Sequence, residues 1–234
     1  MTDSSRRAFL QATAAASMIS AAGIAHKVDA AEEAKMPGKA FEYQHVPAAL
    51  PFEAKALKGI SEKLIQSHWE NNYGGAIKAL NTVRSRLSQA LNDPNTPPYI
   101  YNGLKREQLI RTGSVVLHEL YFGNLGGDGK ASADLRTRIA ASFGTFDAWE
   151  SEFRKVGQGL GGGSGWVVLG FNERLKLLEN YWLADHGSNP PDTRPILVMD
   201  MYEHAYQMDY GAAAPKYIDA FFTNINWEAV AKRM

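Results

Sequence analysis

The segment DMYEHAYQMDY, from Asp200 to Tyr210, contains the most promising combination of chemically active side chains. Asp200 directly follows the apolar run 196–199, and His204 comes four residues later. If a helical turn begins there, both side chains lie on one face and can reach a single ion. Asp and His at this spacing are also a common helix-surface pair, so these two residues alone leave both interpretations open.

Two further histidines lie in segments predicted to be helical. His118 is in the apolar run VVLHELYF, and His68 is in LIQSHWENNY. A histidine in an apolar run must have its ring nitrogens satisfied or be used chemically, and each one alone is compatible with a hydrogen-bonded core residue. The chain contains no cysteine, which excludes disulfides, thiolate catalysis and cysteine-based metal sites. Any metal must therefore bind to imidazole, carboxylate or carbonyl groups.

The elements that position these histidines predict a helical hairpin. The proline-free stretch 60–91 has apolar residues at helical spacing and predicts a long helix, in which Gly74 and Gly75 are candidates for a bend. After the turn NDPNTPP, the segment LKREQLIRTGSVVLHELYFGNL is again helical in period until a run of glycines ends it. A polar turn between two helices predicts an antiparallel arrangement.

The second half of the chain predicts a mixed lobe. Two helix-like segments, ADLRTRIAASF and FDAWESEFRKVGQGL, precede three apolar runs at 166–171, 175–182 and 196–199, which predict a small three-stranded antiparallel sheet. The chain closes on PKYIDAFFTNINWEAVAKR, which predicts an amphipathic helix. The predicted class is therefore α+β: an N-terminal antiparallel helical hairpin followed by a mixed lobe with a small sheet and helices.

The first residues of the chain are typical of an export signal. SRRAFL, with twin arginines, precedes the small-residue stretch QATAAASMISAAGIA and resembles a twin-arginine signal, with cleavage expected between Ala25 and Ala31. An amphipathic presequence or a chance arginine pair are the alternatives. We therefore predict a signal peptide and its exit at residues 1–34, a lead-in with the hairpin at 35–129 and an α/β domain at 130–234. The predicted location is periplasmic or otherwise exported, and the partner is the twin-arginine machinery.

Composition excludes several classes of function. The 25 Lys and Arg residues balance 25 Asp and Glu residues, so no net field favours nucleic acid or an anionic membrane surface. The apolar run of the signal is shorter than the roughly 20 residues of a membrane span. We therefore expect neither a nucleic-acid partner nor a stable membrane span.

From about residue 60 to residue 233, the chain resembles the iron/manganese superoxide dismutases. ISEKLIQSHWENNYGGAIKALN is similar to the family's first-helix pattern, LHELYF to its N-H-x-x-F-W, and DMYEHAY to its D-x-W-E-H-A-Y. GGGSGW and YIDAFFTNINWEAV also resemble family segments. The resemblance implies four metal ligands: His68, His118, Asp200 and His204.

The resemblance further implies the reaction and the partners. We expect superoxide to be disproportionated to dioxygen and hydrogen peroxide at one iron or manganese ion per subunit. Val198, rather than a glycine, lies two residues before Asp200 and favours iron. A homodimer is implied, with Glu203 near the interface, where the family's glutamate reaches a ligand histidine of the partner subunit.

Several positions depart from the family pattern around the metal. Ala76 occupies the position of the family's gateway tyrosine, and Asn72 occupies that of a histidine near the metal. Tyr73 is therefore the candidate for the missing hydroxyl. Gln207 replaces the tyrosine that pairs with that histidine across the dimer, which indicates a rewired contact. Ser114 occupies one place where the family carries an outer glutamine.

His186, in WLADHGSNP, is the candidate for the outer hydrogen-bond donor that replaces that glutamine. Asp185 is the runner-up, and a loop histidine without a role is the alternative. Trp166 and Tyr121 are expected to line the pocket. Two other functions stay open: a metal-binding relative of the family with little dismutase activity, and a zinc hydrolase, although no spare general base is evident.

Overall fold

The computed structural model describes residues 38–234 and confirms the predicted α+β class. The predicted export signal at residues 1–34 lies outside the described residues. The lead-in contains one helical turn, α1 (Lys39–Glu42), and a short 3-10 turn, Ala54–Ala56. The rest of the lead-in to residue 53 has no regular secondary structure.

The first helix of the hairpin is continuous but has an irregular turn in its middle. It consists of α2 (Glu62–Ser67), a π-helical segment (His68–Tyr73) and α3 (Gly74–Asn92). The irregularity therefore precedes the two glycines, where sequence analysis had placed a bend. In this wider turn the Gly74 N–H reaches the carbonyl of Trp69, five residues earlier. Because the π turn carries an extra residue, His68 and Tyr73 are both buried.

The second helix of the hairpin, α4 (Pro98–Gly123), begins earlier than predicted. Proline fits the first turn of a helix, where its missing N–H has no intrahelical partner to lose. Two shorter helices follow, α5 (Ala133–Phe143) and α6 (Phe146–Leu160), and both match their predicted segments. Ser132 and Thr145 cap their N-termini, since each side chain accepts a hydrogen bond from a first-turn N–H.

The predicted three-stranded antiparallel sheet is present, in the order β2-β1-β3. Its strands are β1 (Trp166–Asn172), β2 (Leu177–Leu183) and β3 (Thr193–Asp200). Trp166 is paired with Leu183 on one side and with Asp200 on the other. The register therefore places an indole beside the carboxylate that ends β3.

The C-terminal segment is broken, whereas a single helix was predicted. The predicted segment, 215–233, forms two helices, α8 (Ala214–Thr223) and α9 (Trp227–Ala231), and the short helix α7 (Gln207–Tyr210) precedes it. Asn224 interrupts the helical period because its buried amide donates to the carbonyls of Lys58 and Ala220 and accepts from Lys58 N–H. Asn226 then caps α9 through its side chain.

The helices and strands of both halves of the described chain pack around one hydrophobic cluster. It includes Leu64 and Leu80 from the hairpin, Trp149 from α6 and Phe221 from α8, each almost fully buried. The division of the chain at residues 129 and 130 stays a prediction. None of the helices in residues 38–234 has the length and apolar character that a membrane span requires.

Candidate metal centre

Four side chains from four separate elements converge beside the end of β3. His68 opens the π-helical segment, His118 lies on α4, Asp200 ends β3, and His204 lies in the 3-10 turn Glu203–Ala205. One potential ligand atom from each lies within 4.8 Å of all the others. Sequence analysis predicted the same four residues from the resemblance.

The Asp200 carboxylate lies at the centre of the cluster. Its Oδ2 is 3.1 Å from Nε2 of His68, 3.2 Å from Nε2 of His204 and 3.7 Å from Nε2 of His118. His68, His118 and Asp200 are almost completely buried, whereas the His204 side chain is 26% exposed. The arrangement is a dry pocket with one edge open to solvent in the single chain.

His118 is oriented with its Nε2 free. Its Nδ1 lies 2.7 Å from the carbonyl oxygen of Ser114, one turn earlier on α4, and donates to it. The neutral ring therefore presents the Nε2 lone pair to the cluster, as a metal ligand requires. Ser114 thus orients His118 through its main-chain carbonyl. Comparing the serine side chain with the family's glutamine does not reveal this contact.

Several ring nitrogens in the cluster have no hydrogen-bond partner among the described residues. These buried atoms are Nε2 of His118 and both nitrogens of His68, since the 3.1 Å approach of His68 to Asp200 lacks hydrogen-bond geometry. An unsatisfied buried polar group costs about 1–3 kcal/mol. A cation bound to the two Nε2 atoms would satisfy the donor atoms that face the carboxylate, so the residues present fit a metal ion.

The protonation states also suit metal binding. Burial lowers the pKa of His68 and lowers that of His118 to about 3, so both rings are neutral near pH 7. Burial raises the pKa of Asp200, but the charge and hydrogen bond of His204 and the proximity of His68 outweigh it, so the net pKa lies below its usual range. The set therefore includes two neutral imidazoles and one carboxylate, groups that both iron and manganese accept.

Asp200 is held at two points by groups that sequence analysis did not assign. Tyr202 N–H donates to Oδ1 at 2.8 Å, and the hydroxyl of Tyr217 on α8 donates to the Asp200 carbonyl oxygen at 2.8 Å. The Tyr217 oxygen lies 3.3 Å from the hydroxyl of Tyr121, whose ring packs 5.2 Å from that of His68. The sequence shows Tyr217 only as a tyrosine on the apolar face of the last predicted helix. No neighbouring residue in the sequence indicates that its hydroxyl reaches the end of β3.

His186 lies beside the cluster, in the loop between β2 and β3. Its ring centroid is 5.9 Å from that of His118, and its Nδ1 accepts a hydrogen bond of 3.0 Å from Nε1 of Trp166. The ring also stacks on Tyr202, at 4.7 Å between centroids and 9° between planes. Asp185 instead accepts hydrogen bonds from its own loop, at Gly187 and Ser188.

Tyr73 is the last residue of the π-helical segment that His68 begins. Its ring is 6.3 Å from that of His118, but its hydroxyl donates to Oε1 of Glu119 and accepts from Ala48 N–H, both at 2.8 Å. The hydroxyl therefore ties the lead-in to α4. Ala76, at the gateway position of the resemblance, is buried and has no hydroxyl to offer. A role for Tyr73 in the reaction stays a prediction.

Comparisons with known proteins agree with this geometry. Residues 131–233 match the model of the iron/manganese superoxide dismutases, C-terminal domain. An iron superoxide dismutase of Cupriavidus metallidurans is 49% identical over 181 residues, which cover 77% of this chain and 91% of that protein. An iron superoxide dismutase of Aquifex pyrophilus is 37% identical over 76% of this chain and 85% of that protein. A manganese superoxide dismutase of Halobacterium salinarum is 29% identical over 80% and 94% of the two chains.

Proposed function

Because the chain belongs to the iron/manganese superoxide dismutase family, we propose that it disproportionates superoxide at one metal ion held by His68, His118, Asp200 and His204. In each cycle two superoxide anions and two protons give dioxygen and hydrogen peroxide. The observation that carries the proposal is the convergence of these four side chains, with one ligand atom from each within 4.8 Å of the others. When bound, an iron or manganese ion supplies the one-electron exchange that the reaction needs.

The residues of the chain hold the metal and control protons around it. Ser114 fixes the ring of His118, while Tyr202 and Tyr217 fix Asp200, so these two ligands are preorganised. Burial of the site keeps competing water out and strengthens the electrostatic interactions inside it. The reaction consumes protons, so a donor beside the metal is also required.

His186 is the proposed outer donor. Since its Nδ1 accepts from Trp166 N–H, the neutral ring carries its proton on Nε2. Burial lowers the pKa of His186, which keeps the ring in this neutral form. An Nε2–H held by a hydrogen bond and by the stack on Tyr202 is a fixed donor beside the cluster. These contacts support the role predicted for His186 in place of the family's glutamine.

Iron is the proposed native metal. Val198, two residues before Asp200, favoured iron in the resemblance, and the relatives from Cupriavidus metallidurans and Aquifex pyrophilus are named as iron enzymes. The four ligands alone accept either metal, because imidazole and carboxylate suit both. The choice therefore depends on groups outside the ligand set.

Two further proposals concern the assembled and exported protein. We propose a homodimer in which Glu203 meets the partner subunit, because Glu203 and Gln207 are exposed beside the open edge of His204. We also propose export through the twin-arginine machinery to the periplasm or a similar compartment, on the basis of SRRAFL and the small-residue stretch after it.

The test is elemental analysis of protein from its native compartment, paired with a superoxide dismutation assay on the same sample. Near-stoichiometric iron or manganese with activity supports the proposal and identifies the metal. Either metal without activity would favour a binding relative with little dismutase activity, and zinc without redox activity would contradict the proposal. His118→Ala, prepared in parallel, is the control in which both metal and activity should be lost.

A further inference from the structure

Gly113 on α4 makes an unusually close backbone contact with His186. A Cβ atom placed on Gly113 would lie 1.7 Å from the carbonyl oxygen of His186 and 2.7 Å from its carbonyl carbon. Real Cβ atoms essentially never show contacts below 3.0 Å, and both of these His186 atoms are main chain rather than the flexible end of a side chain. Only a residue without a Cβ therefore lets the loop lie this close to the helix.

A second glycine on the same helix shows that this contact is specific. Gly103 is exposed, and a Cβ placed there would meet nothing within 4 Å. Glycine inside a helix lowers stability relative to alanine, so Gly103→Ala should stabilise α4 slightly. At Gly113 the same substitution would gain the same helical propensity but collide with the loop. Gly103→Ala therefore controls for the gain in helix propensity, and Gly113→Ala adds the collision with the loop.

We propose that Gly113 is a positioning residue that sets the distance between His186 and the metal ligands. The inference rests on the proposed function, because it needs His186 to act as the outer donor. Gly113 lies five residues before His118 on one rigid helix, so α4 carries a ligand and also the surface on which the His186 main chain rests. Trp166 and Tyr202 fix the ring from the other side.

The expected effect follows from the size of the collision. In Gly113→Ala, the His186 carbonyl must move away by roughly 1.3 Å to restore even a 3.0 Å contact. Misplacing a catalytic group by about 1 Å can cost roughly 10²-fold in rate. We expect Gly113→Ala to keep its metal, to lose about 10- to 100-fold in dismutation rate and to change the midpoint potential of the metal.

The experiment compares five metal-loaded proteins: wild type, Gly113→Ala, Gly103→Ala, His186→Ala and the double variant Gly113→Ala/His186→Ala. Metal content, dismutation rate and midpoint potential are measured for each. If Gly113 acts through His186, its substitution changes rate and potential in the wild-type background and changes neither once His186 is alanine. Gly103→Ala should match wild type in all three.

A crystal structure of Gly113→Ala supplies a readout that does not depend on activity. The hydrogen bond between Trp166 Nε1 and His186 Nδ1, 3.0 Å in the wild type, should lengthen beyond 3.5 Å. If Gly113→Ala does not fold, a glycine inserted between Gly187 and Ser188 releases the loop without a new side chain and should shift the potential equally.

An unchanged potential and rate in the folded Gly113→Ala variant, or in the insertion variant, would overturn the inference. So would an equal loss in the His186→Ala background, since Gly113 would then act without His186. A metal-loaded wild type without dismutase activity would instead contradict the proposed function. In that case the potential and the crystal structure still decide whether Gly113 positions His186.

Discussion

Asp200→Asn separates the role of the carboxylate as a metal ligand from its role in the fold. The substitution keeps the size of the side chain and the acceptor for Tyr202 N–H, but removes the negative charge. In the metal-free protein, the new amide can donate to Nε2 of His204, which lies 3.2 Å from Oδ2 in hydrogen-bond geometry. The apo fold therefore keeps its contacts, whereas the loaded site loses its anionic ligand.

The two effects differ in size. For the apo protein, we expect the free energy of unfolding to change by less than about 1 kcal/mol, since neutral hydrogen bonds replace charged ones. Breaking a buried pair of opposite charges costs about 3–5 kcal/mol, which corresponds to metal binding that is roughly 10²- to 10⁴-fold weaker. The stabilisation that the metal gives to the folded state should shrink by the same free energy.

The assay combines a chelator-competition titration with calorimetry of the apo and loaded forms. Asp192→Asn is the matched control, because Asp192 is exposed on the loop before β3 and its positive φ suits asparagine. The control should match wild type in both assays. Wild-type metal affinity in Asp200→Asn would refute the reasoning, and so would an apo form destabilised by more than about 3 kcal/mol.

His118→Ala should lose its metal, and its free energy of unfolding should be about 2–4 kcal/mol lower because a buried ring is deleted. Metal analysis and denaturant unfolding check the two effects, and retained stoichiometric metal would refute the ligand assignment. His186→Ala should keep its metal but change potential and activity, and metal loss would instead make His186 a ligand. The free energy of unfolding of the apo protein should fall as pH drops from about 6.5 towards 3. In this range His118 binds a proton in the unfolded state but not in the folded state, where its pKa is about 3. His118→Gln should therefore reduce the pH dependence measured by calorimetry by up to about 1.4 kcal/mol per pH unit. Tyr73→Phe should lower stability by about 1–2 kcal/mol through its lost hydrogen bonds, and an accompanying fall in dismutation rate would support its predicted role.

The sequence predicted the helices whose ends are set by neighbouring residues, such as capping side chains and glycines. The bounds of α5 and α6 agree with the sequence because Ser132 and Thr145 cap them and glycine follows each. The C-terminal segment was predicted less well, since the break at Asn224 depends on Lys58, 166 residues away in the chain. The π turn also escaped prediction, because its sequence HWENNY carries no distinct marker.

The candidate site divides in the same way. The four converging side chains were predicted because motif and resemblance name them together. Gly113 and Tyr217 were not, because each acts through a main-chain carbonyl of another element, at His186 and at Asp200. A carbonyl leaves no trace in residue type, so such partners become visible only when the elements are packed against each other.

The burial of the site couples metal binding to folding. The candidate ligands come from the irregular first helix, α4 and the end of β3, so the pocket exists only when both halves of the chain are packed. In the metal-free protein, three buried ring nitrogens of the site lack hydrogen-bond partners among residues 38–234, which lowers the stability of the apo fold. A bound cation removes part of that cost, so its binding free energy contributes to folding. A protein exported in its folded state, as proposed for the twin-arginine route, would therefore be most stable if the metal were bound before export.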